Sequence, residues 1–253
     1  MSVDKTTDSV SGNIAIIIPA LNEEGALPPL LSEIPDNIVR WIIVVDNGST
    51  DATATVARDA GAIVVPEPVR GYGRACLTGL QTAANLGAEI VVYMDGDGSD
   101  DPADLSMMLE PLVEGYADFV IGSRAGMKAE PNAVTAQARL GNWLVSSIIR
   151  LLYGSRVHDI GSFRVIRTAD LMALEMREMT YGWPVEMVVK AARAHYRMLE
   201  LPIHYRRRSH GRSKVAGTLA GSIKAAYFML SVTFRYACKP TTKRAVPATV
   251  KHP

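Results

Sequence analysis

The sequence predicts an α/β fold, a mostly parallel sheet with helices on both faces. Three observations carry this. Short apolar, β-branched runs alternate with helical segments through the first half of the chain. Polar sequence follows these runs at once, where open α/β sheets bind their ligands. The chain has 253 residues, 48% of them hydrophobic, which suffices for one large domain with a sizeable core.

Residues 1–12 are polar and read as a flexible tail. Asn13–Pro19 is the first strand, apolar throughout as a strand buried on both faces must be. A helix over 23–34 follows, then a strand at Trp41–Val45 and a helix at Asp51–Ala60, with Asp51 near its cap. Ala62–Val65 is the third strand, Gly73–Leu86 a helix, and Glu89–Met94 the fourth strand. Asp104–Glu114 is helical and Asp118–Ile121 a fifth strand. The second half is less regular. Residues 134–153 carry a helical apolar stripe of Trp143, Leu144, Ile148 and Leu151. One or two strands surround Gly161–Ile166, 183–194 is helical, and Arg197–Tyr205 is a strand. A long amphipathic helix spans 215–238, with Val215, Leu219, Ile223, Ala226, Tyr227, Leu230 and Phe234 at helical spacing. A polar tail occupies 239–253, so the main domain is 13–214.

The net charge of +1 argues against nucleic-acid binding through bulk charge, although basic residues crowd into 204–214. Cys76 and Cys238 are far apart and in no metal or redox spacing, as expected in a reducing compartment. Neither a secretory signal nor an apolar run of membrane-spanning length is visible, which leads us to expect a soluble or peripheral protein.

The most informative segment is Val91–Pro102, where an apolar run ends in Asp95-Gly96-Asp97. Two hard oxygen donors two residues apart suit Mg²⁺ or Mn²⁺, which would in turn hold a diphosphate. Gly96 between them leaves room for a ligand to approach the backbone. The alternative is a helix cap by Ser99 or Asp100 ahead of Pro102. Two other runs also end in polar groups, Pro19-Ala20-Leu21-Asn22-Glu23 and Asp46-Asn47-Gly48-Ser49. Asp46 can accept from a nucleobase N–H, and Asn22 or Glu23 can reach a base or ribose. Arg74, at the start of the third helix, can attract phosphate. The turn before it does not match G-x-G-x-x-G, so a dehydrogenase reading is weak. The densest charge is His204–Lys214, whose arginine forks and lysine suit phosphate oxygens.

Taken in order, Pro19–Glu23, Val44–Asp51, Gly71–Leu80, Asp95–Asp97, Gly122-Ser123-Arg124, Asp159–Arg164, Glu186 and Arg208-x-x-Gly211-x-Ser213-Lys214 make the chain resemble a family 2 glycosyltransferase. The likeness spans roughly Ile14 to Lys214 and is strongest to the dolichyl-phosphate mannose synthase and polyprenyl-phosphate glycosyltransferase branch. It implies a GT-A, Rossmann-like nucleotide-sugar fold. Pro19, Leu21, Glu23 and Asp46 would line the nucleotide pocket, with Asn47 beside them. Asp95 and Asp97 would sit at the metal, Asp97 as the more direct ligand. Arg208, Ser213 and Lys214 would contact donor diphosphate or acceptor phosphate, and Arg124 and Arg139 the acceptor's lipid phosphate. Where the family often has two acids at 46–47, this chain has Asn47, and Ser99 stands where a polar third ligand is common.

The resemblance implies metal-dependent, inverting transfer of a hexose from a GDP- or UDP-sugar to a polyprenyl phosphate, at the cytoplasmic face of a membrane. A homo-oligomer is compatible with it. A hydroxyl acceptor would need a general base, for which Asp159 and Glu186 are the candidates. The other readings are a non-catalytic nucleotide-sugar-binding protein and a sugar-phosphate nucleotidyltransferase. The last would want a Gly-rich basic loop where Pro19–Glu24 is acidic.

Overall fold

The computed structural model describes residues 12–125, 128–208, 210 and 219–237. Seven strands form one sheet in the order β3-β2-β1-β4-β6-β5-β7. They are β1 (Ile14–Ala20), β2 (Trp41–Asp46), β3 (Ile63–Pro66), β4 (Ile90–Tyr93), β5 (Phe119–Ser123), β6 (Arg164–Arg167) and β7 (Met198–Pro202). All pairings are parallel except those of β6 with β4 and β5. The apolar runs show why. In β1, Ala15 and Ile17 point into one core while Ile14, Ile16 and Ile18 point into the other, so no residue of the run can be polar.

The first core is closed by α3 (Tyr72–Asn85), α5 (Ala136–Tyr153), α6 (Thr168–Ala173), α7 (Trp183–Arg193) and α8 (Leu219–Arg235). The second is closed by α1 (Leu27–Glu33), α2 (Thr53–Asp59) and α4 (Leu105–Val113). Helices therefore cover both faces, as the alternating pattern predicts.

Four differences from the expected elements have local causes. Helix α1 starts at Leu27 rather than 23, because Glu23 and Glu24 donate their N–H groups to Thr53 Oγ1 (2.8 Å) and Asp51 Oδ2 (3.3 Å) in the neighbouring loop. Strand β7 ends at Pro202; the Ile203 N–H still donates to the Ser123 carbonyl of β5 at 3.1 Å, and residues 204–208 then run along the turn after β4. Helix α6 has only six residues, too few to show a period. The apolar stripe of α5 lies mostly outside the core, with only Ile148 of it half-buried. Trp143 is 60% exposed and Leu151 85%, while Val145, Ser146 and Ile149 are the buried residues. Residues 211–218, which contain the start of the expected last helix, and Cys238 lie outside the described residues.

Close packing fixes the start of α3. A Cβ on Gly73 would lie 2.1 Å from the carbonyl oxygen of Glu178, so the 178–180 loop can seat on the helix only against glycine. Gly73→Ala is expected to destabilise the protein by about 1–3 kcal/mol. Gly141→Ala, in α5 with open space around it, should instead stabilise by about 0.5–1 kcal/mol. Urea unfolding of the two variants beside the parent checks the contrast.

Candidate active site

Strand direction brings the motifs together. The C-terminal ends of β1, β2, β4 and β5 and the N-terminal end of β6 share one edge of the sheet. At the β1 and β2 ends, two loops are laced to one another. Asn22, with φ of 53°, accepts from the Thr50 N–H at 2.8 Å and donates its own N–H to Ser49 Oγ at 2.9 Å. Asp46 accepts from the Ser49 N–H at 3.0 Å and stays half-buried, as do Pro19 and Leu21. Asn47 is buried, and its whole side chain is spent on the 67–71 loop. Its Nδ2 donates to the carbonyls of Glu67 (3.0 Å) and Val69 (2.9 Å), and its Oδ1 accepts from the Gly71 N–H (2.7 Å). Asn47 thus braces the wall behind Asp46. Arg74 is half-buried on α3, but its N–H already donates to the Met179 carbonyl at 3.2 Å. That amide is not free for a phosphate.

The turn after β4 gathers carboxylates. Asp95 accepts the Tyr72 hydroxyl at 3.1 Å. Asp100 is fully buried; its Oδ2 accepts from the Asp95 N–H (3.2 Å) and Ser162 Oγ (2.9 Å), while its Oδ1 has no partner. Asp97 accepts from the Ser99 N–H (3.0 Å) and hydroxyl (2.5 Å) on one oxygen, and its other oxygen lies 2.5 Å from Arg208 Nη2. Burial and the charge of Asp97 push Asp95 up to about 6, and burial and the charge of Asp95 push Asp100 up to about 8. The turn concentrates more negative charge than it can keep ionised, and an orphaned acid oxygen lies in it. That donor set fits a hard divalent cation. Among the described residues no three His, Cys, Asp or Glu side chains form a ready-made metal cage. A cation held by one or two carboxylates plus substrate phosphates does not need one.

Two expectations about this turn are corrected. The space beside Gly96 belongs to the core: a Cβ there would meet Ile18 Cγ2 at 3.2 Å and Leu27 Cδ2 at 3.4 Å. The helix-capping oxygen is that of Asp101, which accepts from the Ala103 N–H at 3.0 Å, and neither Ser99 nor Asp100 takes that part.

The basic segment lies against the same turn. The His204 N–H and ring Nδ1 meet the two oxygens of Asp104 at 2.5 and 2.9 Å. Arg206 pairs with Asp101 at 2.7 Å and Glu33 at 2.6 Å, and Arg208 spans Asp97 and Glu23, the latter at 3.2 Å. Much of the charge that looked available for phosphate is therefore matched inside the protein. Ser213 and Lys214 lie outside the described residues.

Arg124, just past β5, is gripped by Asp159. That carboxylate accepts from the Arg124 N–H (2.6 Å), Nε (3.1 Å) and Nη2 (2.7 Å), and the guanidinium stands 5.6 Å from the centre of the Tyr205 ring. Burial works to raise the Asp159 pKa, but the Arg124 charge overrides it and holds the carboxyl below its ordinary value. Glu186 is fully buried in the first turn of α7. It accepts from the N–H groups of Arg177 (2.9 Å) and Glu178 (2.7 Å), from the Tyr236 hydroxyl, and from Lys190 Nζ (3.0 Å). Burial raises its pKa, yet the Tyr236 hydroxyl and these amides keep it below normal. Arg139 projects as an exposed residue of α5. Residues not singled out from the sequence also matter here. Tyr72 and Ser162 hold the acids, and buried Arg164 bonds Gly161 O and Pro184 O at 2.7 Å each while its Nη2 lacks a partner. No periodicity marks such residues; only their place inside short motifs does.

Residues 15–174 match Glycosyl transferase family 2. The chain belongs to glycosyltransferase family 2. An uncharacterized glycosyltransferase of Mycobacterium tuberculosis is 41% identical over 215 residues, 84% of this chain and 94% of that one. The undecaprenyl-phosphate mannosyltransferase of Micrococcus luteus is 30% identical over 219 residues, 82% of this chain and 89% of the relative. Among solved structures, glucosyl-3-phosphoglycerate synthase from M. tuberculosis, in complex with Mn²⁺, UDP and glucosyl-3-phosphoglycerate, superposes with a TM-score of 0.70 at 23% identity, covering 91% of this chain and 81% of that one. The protein is a glycosyltransferase, and its fold is the GT-A fold that the motifs imply.

The buried acid makes a pH prediction. The pKa of Asp100 is raised in the folded state, so its stabilising contribution is full below the unfolded value of 3.8 and is lost as pH rises through about 8. An Asn carbonyl can still accept from Asp95 and Ser162 without that penalty. In metal-free protein, Asp100→Asn should therefore melt above the parent at about pH 8.5, with the gap shrinking towards about pH 5. Differential scanning calorimetry across that range checks it; equal gaps at both ends would contradict the assignment.

Proposed function

We propose that this enzyme transfers a hexose from a GDP- or UDP-sugar to a polyprenyl phosphate, with inversion at the anomeric carbon. The observation that carries this reading is that both candidate bases are already engaged by other groups. Asp159 is locked to Arg124, Glu186 is buried under four donors, and both are held below their ordinary pKa. A hydroxyl acceptor must give up a proton to such a base. A phosphate acceptor is already an anion and needs positioning, which Arg124 offers with its guanidinium fixed in place. The M. luteus relative is named for an acceptor of this kind.

Asp95 and Asp97 would hold Mg²⁺ or Mn²⁺, and the cation would supply positive charge to the departing nucleoside diphosphate. Glu23 and Asp46 would face the nucleoside, and Arg208 would serve the diphosphate from its place between Asp97 and Glu23. Among the described residues no helix is long and apolar enough to cross a membrane. Helices α5 and α8 instead pack together and expose Leu140, Trp143, Leu151, Tyr227 and Phe234, beside the exposed Arg139 and Arg156. An apolar face with basic neighbours suits peripheral docking on an anionic bilayer, where the lipid acceptor resides.

A donor panel scored by nucleoside-diphosphate release, with and without polyprenyl phosphate, tests the activity. Release that depends on the lipid phosphate supports the reading, and release stimulated only by hydroxyl sugars refutes it. Asp97→Asn should lower turnover by roughly a hundredfold or more and weaken Mn²⁺ binding, followed by electron paramagnetic resonance, with Asp95→Asn less severe. Metal-dependent turnover that survives Asp97→Ala would sink the metal assignment. Trp143→Glu with Leu140→Glu should reduce flotation with phosphatidylglycerol/phosphatidylcholine vesicles several-fold while leaving the melting temperature near the parent's.

A further inference from the structure

Arg124 can receive an anion only if something holds its fork, and Asp159, which does so, lies in a segment without regular structure. Residues 154–163 form neither helix nor strand. Two side chains from outside the expected site fix that segment. Glu200 of β7 accepts two successive amides, from His158 on Oε2 (2.7 Å) and from Asp159 on Oε1 (3.1 Å), and its Oε2 also lies 3.3 Å from His158 Nδ1. Asn142 of α5 closes the other side, accepting from the Ile160 N–H (2.9 Å) and donating to the His158 carbonyl (3.1 Å). Glu200 pairs in register with Ile121, three residues before Arg124. The strand that delivers the arginine is thus hydrogen-bonded to the strand that delivers its support. The loop also lies flat on the end of β5, where a Cβ on Gly161 would come 2.2 Å from the Gly122 carbonyl oxygen.

We infer that Glu200 and Asn142 are positioning residues for the acceptor anion, acting on Arg124 through Asp159. This rests on the reading of Arg124 as the acceptor's partner. Both side chains act on the 158–160 backbone and not on the reacting groups. The Glu200 carboxylate satisfies two amides that a neutral amide side chain cannot satisfy together, since one of its termini donates. Loss of that bracket frees Asp159 to rotate and lets the guanidinium leave its fixed direction. Asn142 neighbours Trp143 on α5, so the same bracket ties the loop to the helix whose apolar face is exposed.

The test is a kinetic cycle on the full chain, using whichever acceptor of the panel supports turnover. Glu200→Gln should raise the acceptor KM about tenfold, the scale of one lost charge-assisted hydrogen bond. The donor KM should stay within about twofold and the melting temperature near the parent's. In an Arg124→Ala background, Glu200→Gln should add nothing, because the residue through which it acts is gone. Asn142→Asp should reproduce the pattern, and serves where Glu200→Gln does not fold. Equal effects of Glu200→Gln with and without Arg124, or parallel rises in donor and acceptor KM, would overturn the inference while leaving the acceptor reading intact. An Arg124→Ala enzyme with an unchanged acceptor KM would overturn both.

Discussion

The site depends on a ladder of acidic and basic side chains between two segments that are a hundred residues apart. Asp97, Asp101 and Asp104 face Arg208, Arg206 and His204, one rung after another, with the two chains running in opposite directions. Asp97 and Asp104 are almost fully buried. Removing a single partner would leave a buried charge uncompensated, which costs far more than a surface pair gains. The ladder carries the chain away from the sheet after Ile203, sets Tyr205 against Arg124, and links Asp97 to Glu23 through Arg208. One electrostatic match thereby sets the relative positions of both halves of the site.

The fold was legible because burial on both faces leaves no freedom. An α/β strand of this kind must be apolar at every position, as β1 is from Ile14 to Ile18, and the polar break after it then marks the edge where ligands bind. Short elements without such a constraint were hidden. Helix α6 has only six residues, and the reach of β7 was overestimated because His204 and Tyr205 look like strand while the His204 N–H goes to Asp104 and Tyr205 bridges to Asp100. The α5 stripe shows the limit of periodicity itself. A period of 3.6 reveals that a helix has two faces, but not which one is turned inward.

In the site, the sequence revealed several of the residues that meet, though Arg139 and Glu186 are not among them, and it did not reveal what each one spends its bonds on. Asn47 and Gly96 stand in the motifs where contacts with a ligand were expected, yet the first braces a loop and the second clears space for Ile18. Asp159 and Glu186 were legible as acids, but apart from Lys190, one turn beyond Glu186, nothing local showed that their oxygens are already taken. The partners that occupy them come from as far away as Arg124 and Tyr236. Hydrogen-bond saturation is a property of tertiary structure, and it decides whether a carboxylate can act as a base.

The reversed strand β6 sets a length scale for the site. It lies between β4 and β5, so the chain leaves the sheet at Asp95 and at Arg124 two strand spacings apart, roughly 10 Å. Without β6 between them, β4 and β5 would have placed those two ends side by side, a single strand spacing apart. The inserted strand also fills the interval from below, because the chain enters β6 at this edge and lays Gly161 and Ser162 along the floor. The spacing between acid turn and arginine is thus dictated by hydrogen-bonded backbone, which side-chain substitution cannot easily widen or narrow.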